Sequence, residues 1–273
     1  MDSITDFKGL ALPAPIQASL DLMGISEPTP IQAQAIPIAM NGGDLIGLAQ
    51  TGTGKTFAFC LPMIVGLDKP EHKDSCALIL TPTREIAIQV SEVLKQLTSK
   101  MTGRWKPVLV IGGVGMRPQE EGLRRQPRII VSTPGRLVDH IRNGVARLSN
   151  VRFLVLDEAD RMLDMGFAPQ LREVLNELPK ERQTLLFSAT FPKGIEELSQ
   201  KYLTNPARIE VGGGHSQPIE SVEQLAREIN ETDKYNELIE VLREREGTAI
   251  VFMRTKHRTK RLAEKLMRQG IAA

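Results

Sequence analysis

Leu45-Ile46-Gly47-Leu48-Ala49-Gln50-Thr51-Gly52-Thr53-Gly54-Lys55-Thr56 decides how this 273-residue chain reads. The first four residues are apolar or small, as a strand buried on both faces requires. The apolar run Phe57–Leu67 follows at once and predicts a helix. A Gly/Thr-rich turn between strand and helix, ending in Gly-Lys-Thr, is the setting of a phosphate cradle. Backbone N–H groups of Ala49, Gln50, Thr51, Gly52, Thr53 and Gly54 can curl around phosphate oxygens, and the helix N-terminus adds its positive dipole. Lys55 reaches the β- and γ-phosphates, and the Thr56 hydroxyl is the expected Mg²⁺ ligand. Ala49 stands where the pattern has glycine, a small departure that a small residue still fits.

Working outward, further apolar runs predict strands at Ala77–Leu80, Val108–Ile111, Ile129–Val131, Phe153–Leu156, Thr184–Phe187 and Arg208–Val211. Helical patterns lie between them, for example Arg84–Leu97 and Pro169–Leu178. Alternating βα units predict an α/β fold with a mainly parallel sheet covered by helices on both faces. The segment Gly212–Pro218, with three glycines and a proline after a strand, reads as a linker. A new unit then begins, with helix Lys234–Arg245, strand Thr248–Phe252 and helix Lys256–Arg268. One strand and two helices cannot bury both faces of a sheet, so the expectation is a second domain cut short.

The run Leu154–Asp160 is an apolar strand ending in Asp157-Glu158-Ala159-Asp160. A carboxylate at the C-terminal end of a strand next to the cradle strand can meet the same Mg²⁺, which makes Asp157 the second metal residue. Glu158, one step on, can orient or deprotonate an attacking water. Together with the cradle, these carboxylates specify an NTPase.

Composition narrows the setting. Apolar residues make up 41% and charged residues 25%, ordinary values for a chain with a real core. The net charge is +2, but charge is uneven: Arg117–Arg152 holds eight arginines against three acids, and Arg254–Arg268 holds seven Lys/Arg against one. Basic zones on a near-neutral chain suit a polyanion met on one face, though a solvated helix face explains the second zone equally well. Two cysteines without a CxxC, and four scattered histidines, argue against a disulfide or zinc site and agree with a reducing cytoplasm. The N-terminus lacks the basic start and apolar core of a signal peptide, and no apolar run approaches the ~20 residues that span a bilayer.

Asp157–Asp160 together with Ala49–Thr56 resembles the DEAD-box RNA helicases, and further segments agree in order. Phe7 and Gly24–Gln32 are similar to that family's adenine-sensing motif, the aromatic lying seventeen residues before the glycine. The resemblance implies that Phe7 stacks on adenine and that Gln32, with Thr29 beside it, hydrogen-bonds the base edge. It therefore names ATP as the nucleotide. Pro82-Thr83-Arg84, Gly112-Gly113 and Thr133-Pro134-Gly135-Arg136 resemble three short RNA-contacting motifs. Hydroxyls, backbone amides and guanidinium forks suit phosphate and 2′-OH contacts rather than base reading. Each segment could equally be a helix cap if it stood alone. Ser188-Ala189-Thr190 resembles the motif that couples hydrolysis to strand separation. Its hydroxyls could bridge either Asp157 or Asp160, and a strand-end turn is the plainer reading.

The resemblance implies a RecA-like domain over residues 34–211, preceded by an adenine-sensing segment over 1–33. A linker over 212–218 and the opening of a second RecA-like domain over 219–273 follow. It also implies an ATP hydrolase acting on RNA, with Lys55, Asp157, Glu158, Ser188 and Thr190 as its catalytic residues. RNA is bound by its backbone without regard to sequence, by a cytoplasmic monomer open to ribonucleoprotein partners. Later family motifs, including an arginine finger, are expected beyond Ala273, so this chain is expected to bind ATP yet hydrolyse it poorly. Two alternatives stay open, a different P-loop nucleic-acid motor and a nucleotide-gated RNA-binding scaffold. A P-loop metabolic kinase fits less well, since nothing between Ala189 and Gly214 looks like an Arg-rich lid.

Overall fold

In the computed structural model, which describes residues 6–10, 12–212 and 225–273, the seven apolar runs of the first 211 residues become strands. The first unit, Met1–Ser216, runs α1 (Ala14–Leu22), α2 (Pro30–Met40), β1 (Leu45–Leu48), α3 (Lys55–Asp68), β2 (Cys76–Leu80), α4 (Arg84–Leu97) and β3 (Val108–Val110). It continues through α5 (Met116–Arg124), β4 (Ile129–Ser132), α6 (Pro134–Arg142), β5 (Val151–Leu156), α7 (Ala159–Asp164), α8 (Ala168–Asn176), β6 (Gln183–Ser188), α9 (Lys193–Tyr202) and β7 (Ala207–Glu210). All seven strands pair in parallel, in the order β3-β4-β2-β5-β6-β1-β7.

The continuous apolar strands have a direct cause. Successive side chains point to opposite faces, and each face meets its own layer of helices. Ala77 and Ile79 of β2, with Phe153 and Val155 of β5, enter a core completed by α1, α2, α3 and α4. Leu78 and Leu80, with Leu154 and Leu156, enter the opposite core with α6, α7, α8 and α9. The boundary expected after residue 33 falls within α2. Ile31, Ala35, Ile36 and Ala39 of that helix all lie in the first core. Both cysteines are free and buried. Burial pushes the Cys76 thiol up to about 12, and burial with Asp157 nearby raises that of Cys60 on α3.

The second unit is Gln217–Ala273. Its described residues hold α10 (Lys234–Glu244) and α11 (Lys256–Arg268). Residues 213–218 of the expected linker, and 219–224 after it, lie outside the described residues. Among the described residues the strand expected at Thr248–Phe252 does not form: the segment has no ladder partner there, and Ile250 and Phe252 are 82% and 90% exposed. An apolar run becomes a strand only where another strand takes its N–H and C=O groups. No helix among the described residues is long and apolar enough to cross a membrane.

Candidate functional site

Because every strand is parallel, all seven C-terminal ends open on one edge of the sheet, where α/β folds gather ligands. At the end of β1 the chain turns into the cradle. Gly52 (φ +88°) and Gly54 (φ +92°) take left-handed conformations that suit glycine. A Cβ at Gly54 would lie 2.5 Å from Gln32 Nε2 and 3.0 Å from Thr29 Oγ1. Gln32 is buried in the first turn of α2. Its Nε2 donates to Gly54 O (2.9 Å), while its Oε1 accepts from Thr29 N (2.9 Å). The cradle is thereby pinned from below by the segment that resembles the adenine-sensing motif. Thr29 Oγ1 is buried without a partner. Thr53 Oγ1 donates to Gln50 O (2.7 Å), and buried Lys55 donates from Nζ to Ala49 O (2.9 Å), closing the loop on itself. Thr56 follows in the first turn of α3.

At the end of β5, Asp157 N donates to Leu80 O (2.9 Å). The Asp157 side chain is buried. That burial is the main force pushing its carboxyl up to about 6, with Lys55 opposing and Glu158 and Asp160 adding. Its Oδ1 has no hydrogen-bond partner. An orphaned carboxylate oxygen close to Lys55 fits a divalent cation, which would supply the missing positive partner. Mg²⁺ at such a site needs few protein oxygens, and Asp157 with Thr56 would hold it. Among the described residues, no group of three or more His, Cys, Asp or Glu is gathered to hold a metal.

Glu158 sits at φ +50°, a strained conformation for a non-glycine residue. The turn aims its carboxylate across the site: Oε1 accepts from Thr51 Oγ1 of the cradle (3.4 Å) and Oε2 from Arg161 Nη1 (3.1 Å). Asp160 takes the contacts that the reading of Ser188 and Thr190 left open. Its Oδ2 accepts from Thr190 N (2.9 Å) and Thr190 Oγ1 (2.8 Å). Ser188 Oγ accepts from Asp160 N (3.3 Å) and donates to Thr190 O (2.7 Å).

One expectation, on strand order, is corrected. The strand carrying Asp157 was expected beside the cradle strand, but β6 lies between β5 and β1, so Ser188 is seated between cradle and carboxylates. Apolar runs carry no information on strand order. Phe7, expected to stack on adenine, is fully buried in the first core, with its N–H donating to Ser26 O (3.2 Å).

The three remaining segments follow β2, β3 and β4, which are neighbours on the other half of the same edge. Thr83 Oγ1 caps α4 by accepting from Ile86 N (3.3 Å). Arg84 is exposed, and its guanidinium lies over Gly112 and Gly113, where a Cβ at Gly113 would collide with Nη1. Thr133 N donates to Val110 O (3.2 Å). Arg136 turns inward, donating from Nη1 to Val114 O (3.0 Å) with Nε 3.6 Å from Asp139. Pro82, Thr133 and Pro134 are buried, whereas Gly113 is exposed and Gly112, Gly135 and Arg136 are half-buried. The structure thus brings these segments together, but several of their side chains face the protein.

With the geometry in place, comparison with known proteins is decisive. A model of the DEAD/DEAH box helicase family matches residues 29–198. The chain belongs to this family. It is 41% identical over 268 residues to the DEAD-box ATP-dependent RNA helicase CshA of Bacillus subtilis (strain 168), covering 98% of this chain and 53% of the relative. Against the ATP-dependent rRNA helicase rrp3 of Aspergillus oryzae the identity is 43% over 270 residues, covering 98% and 56%. The crystal structure of a DEAD box protein from the hyperthermophile Methanococcus jannaschii superposes with a TM-score of 0.71 at 36% identity, covering 98% of this chain and 72% of that one. The fold is therefore RecA-like α/β. The chain spans about half the length of the curated relatives it matches.

Proposed function

We propose that this chain forms the nucleotide-binding part, and half of the RNA-binding track, of an ATP-dependent RNA helicase that opens short duplexes locally. The observation that carries this reading is the division of one sheet edge. Segments suited to a nucleoside triphosphate end β1, β5 and β6, while segments suited to a nucleic-acid backbone end β2, β3 and β4. The halves join at β5 and β2, which are paired neighbours.

In this reading Lys55 leaves Ala49 O for the β- and γ-phosphates, and the backbone of Thr51–Gly54 wraps them. Gln32 retains one N–H and one lone pair for an adenine edge. Bound Mg²⁺, held by Thr56 and Asp157, would withdraw charge from the transferred phosphoryl group. Glu158 orients the attacking water and accepts its proton. Asp160, through Ser188 and Thr190, carries any shift of the carboxylate turn to the end of β6. Backbone contact alone makes RNA binding independent of sequence. The chain by itself is expected to turn over ATP slowly, since the resemblance assigns the charge-neutralising arginine to later motifs, worth ~10³–10⁵ in rate.

Titration with a fluorescent ATP analogue tests the reading. Tight binding that needs Mg²⁺ and is lost in Lys55→Ala is expected, with ATP competing better than GTP. Equal competition by GTP would remove the adenine assignment. In the full-length protein, Glu158→Gln should abolish turnover while keeping ATP bound. Undiminished turnover would instead favour a role for Glu158 in holding the cradle through Thr51.

A further inference from the structure

Gln119 on α5 and His140 on α6 are buried polar residues with no part in the nucleotide site. Gln119 Nε2 donates to Ile111 O (3.0 Å), Gly115 O (3.1 Å) and Val114 O (3.5 Å), so three carbonyls of one loop converge on a single amide nitrogen. That choice of nitrogen turns Gln119 Oε1 toward His140 Nε2, 3.4 Å away. An amide oxygen can only accept, so the His140 proton must lie on Nε2. In the neutral ring Nδ1 is then bare, and it has no partner. Burial, followed by Arg136, holds the His140 ring below its usual range against the weaker pull of Glu120 and Asp139, which favours the neutral ring.

The clasp has a consequence for the loop. No peptide bond among the described residues is cis, and in a trans peptide the N–H points opposite to the C=O. Drawing the carbonyls of Ile111, Val114 and Gly115 toward Gln119 therefore turns the N–H groups of Gly112, Gly115 and Met116 away from it. Met116 opens α5, so its N–H also belongs to a positive helix end. Outward N–H groups on one short loop make a concavity for a phosphate. Arg136 holds Val114 O from the first turn of α6, and His140 lies one helical turn later on the same face.

We propose that Gln119 and His140 are positioning residues for RNA binding: His140 locks the Gln119 amide, and Gln119 folds the Ile111–Gly115 loop so that its N–H groups face an RNA phosphate. The proposal rests on the reading of this edge as an RNA track. Neither residue touches RNA.

The test uses fluorescein-labelled oligouridylate ten nucleotides long, titrated into the chain at low salt and followed by anisotropy. Gln119→Glu, which presents a carboxylate to three carbonyls, should weaken RNA binding by about tenfold or more, and so should His140→Leu. His140→Gln keeps an N–H donor and should stay within about threefold of the parent, a rescue that a packing role would not produce. Affinity for the ATP analogue should be unchanged in all three. If Gln119→Glu and His140→Leu bind the oligomer like the parent, the proposal is overturned. In the parent itself, amide NMR signals of Gly112, Gly115 and Met116 should shift on adding the oligomer. Shifts elsewhere on the edge without these three overturn the proposal but leave the RNA track standing. If the parent shows no binding, or Arg84→Ala leaves binding intact, the RNA reading beneath it fails, and the proposal with it.

Discussion

Asp157 is a carboxylate kept out of water with Oδ1 unpartnered, and that has a measurable sign. Its folded-state value of about 6 lies above the ordinary 3.8, so the native state binds the proton more tightly than the unfolded chain does. Stability is therefore lost as pH rises from about 4 to about 6, by up to ~3 kcal/mol, and stays lost above that. Asp157→Asn should melt higher than the parent at pH 8, with the gap closing near pH 4. A gap of equal size at both pH values would refute this account. The same titration predicts that Mg²⁺-dependent nucleotide affinity falls as pH drops through 6, because a protonated carboxyl no longer attracts the cation. At Gly54 a side chain meets two obstacles, a left-handed backbone and the Gln32 amide. Gly54→Ala should lose at least ~1–2 kcal/mol in a denaturant titration, together with nucleotide binding.

Among the elements, the start of α4 separates two roles for one residue. Thr83 caps the helix, so Thr83→Ala should lower stability by about 1 kcal/mol. Thr83→Asp keeps the cap and adds negative charge, so it should restore stability yet weaken RNA binding. If Thr83→Asp binds oligouridylate like the parent, Thr83 is a cap and nothing more. The elements also show what could be read in advance. All seven strands of the first unit were legible, because continuous apolar runs separated by turn residues leave few other structures open to them. The cradle was legible because its chemistry is local, with glycines, lysine and threonine adjacent in the chain. Partner choice was not. Nothing in the spacing says that Ser188 and Thr190 bond Asp160 rather than Asp157, that β6 separates β5 from β1, or that Gln119 meets His140 across 21 positions. The segment Thr248–Phe252 has a strand's composition without a strand's partner among the described residues.

At the scale of the first unit, the proposed reading puts nucleotide and nucleic acid on different halves of one sheet edge. Their salt responses should differ accordingly. Affinity for oligouridylate should fall steeply with added salt, with a log–log slope of about −0.7 per phosphate neutralised. Affinity for the ATP analogue, in a walled cradle, should fall much less. Parallel slopes would argue against separate sites. The two buried thiols add a use of another kind. Cys60 lies on the helix that leaves the cradle and Cys76 at the start of β2, and neither reaches solvent or ionises readily in the folded chain. A thiol reagent therefore labels them only when the surrounding structure opens, and the labelling rate becomes a clock for that opening. With ATP bound, the Cys60 clock should slow, and comparison with Cys76 would show whether the nucleotide steadies one helix or the whole unit.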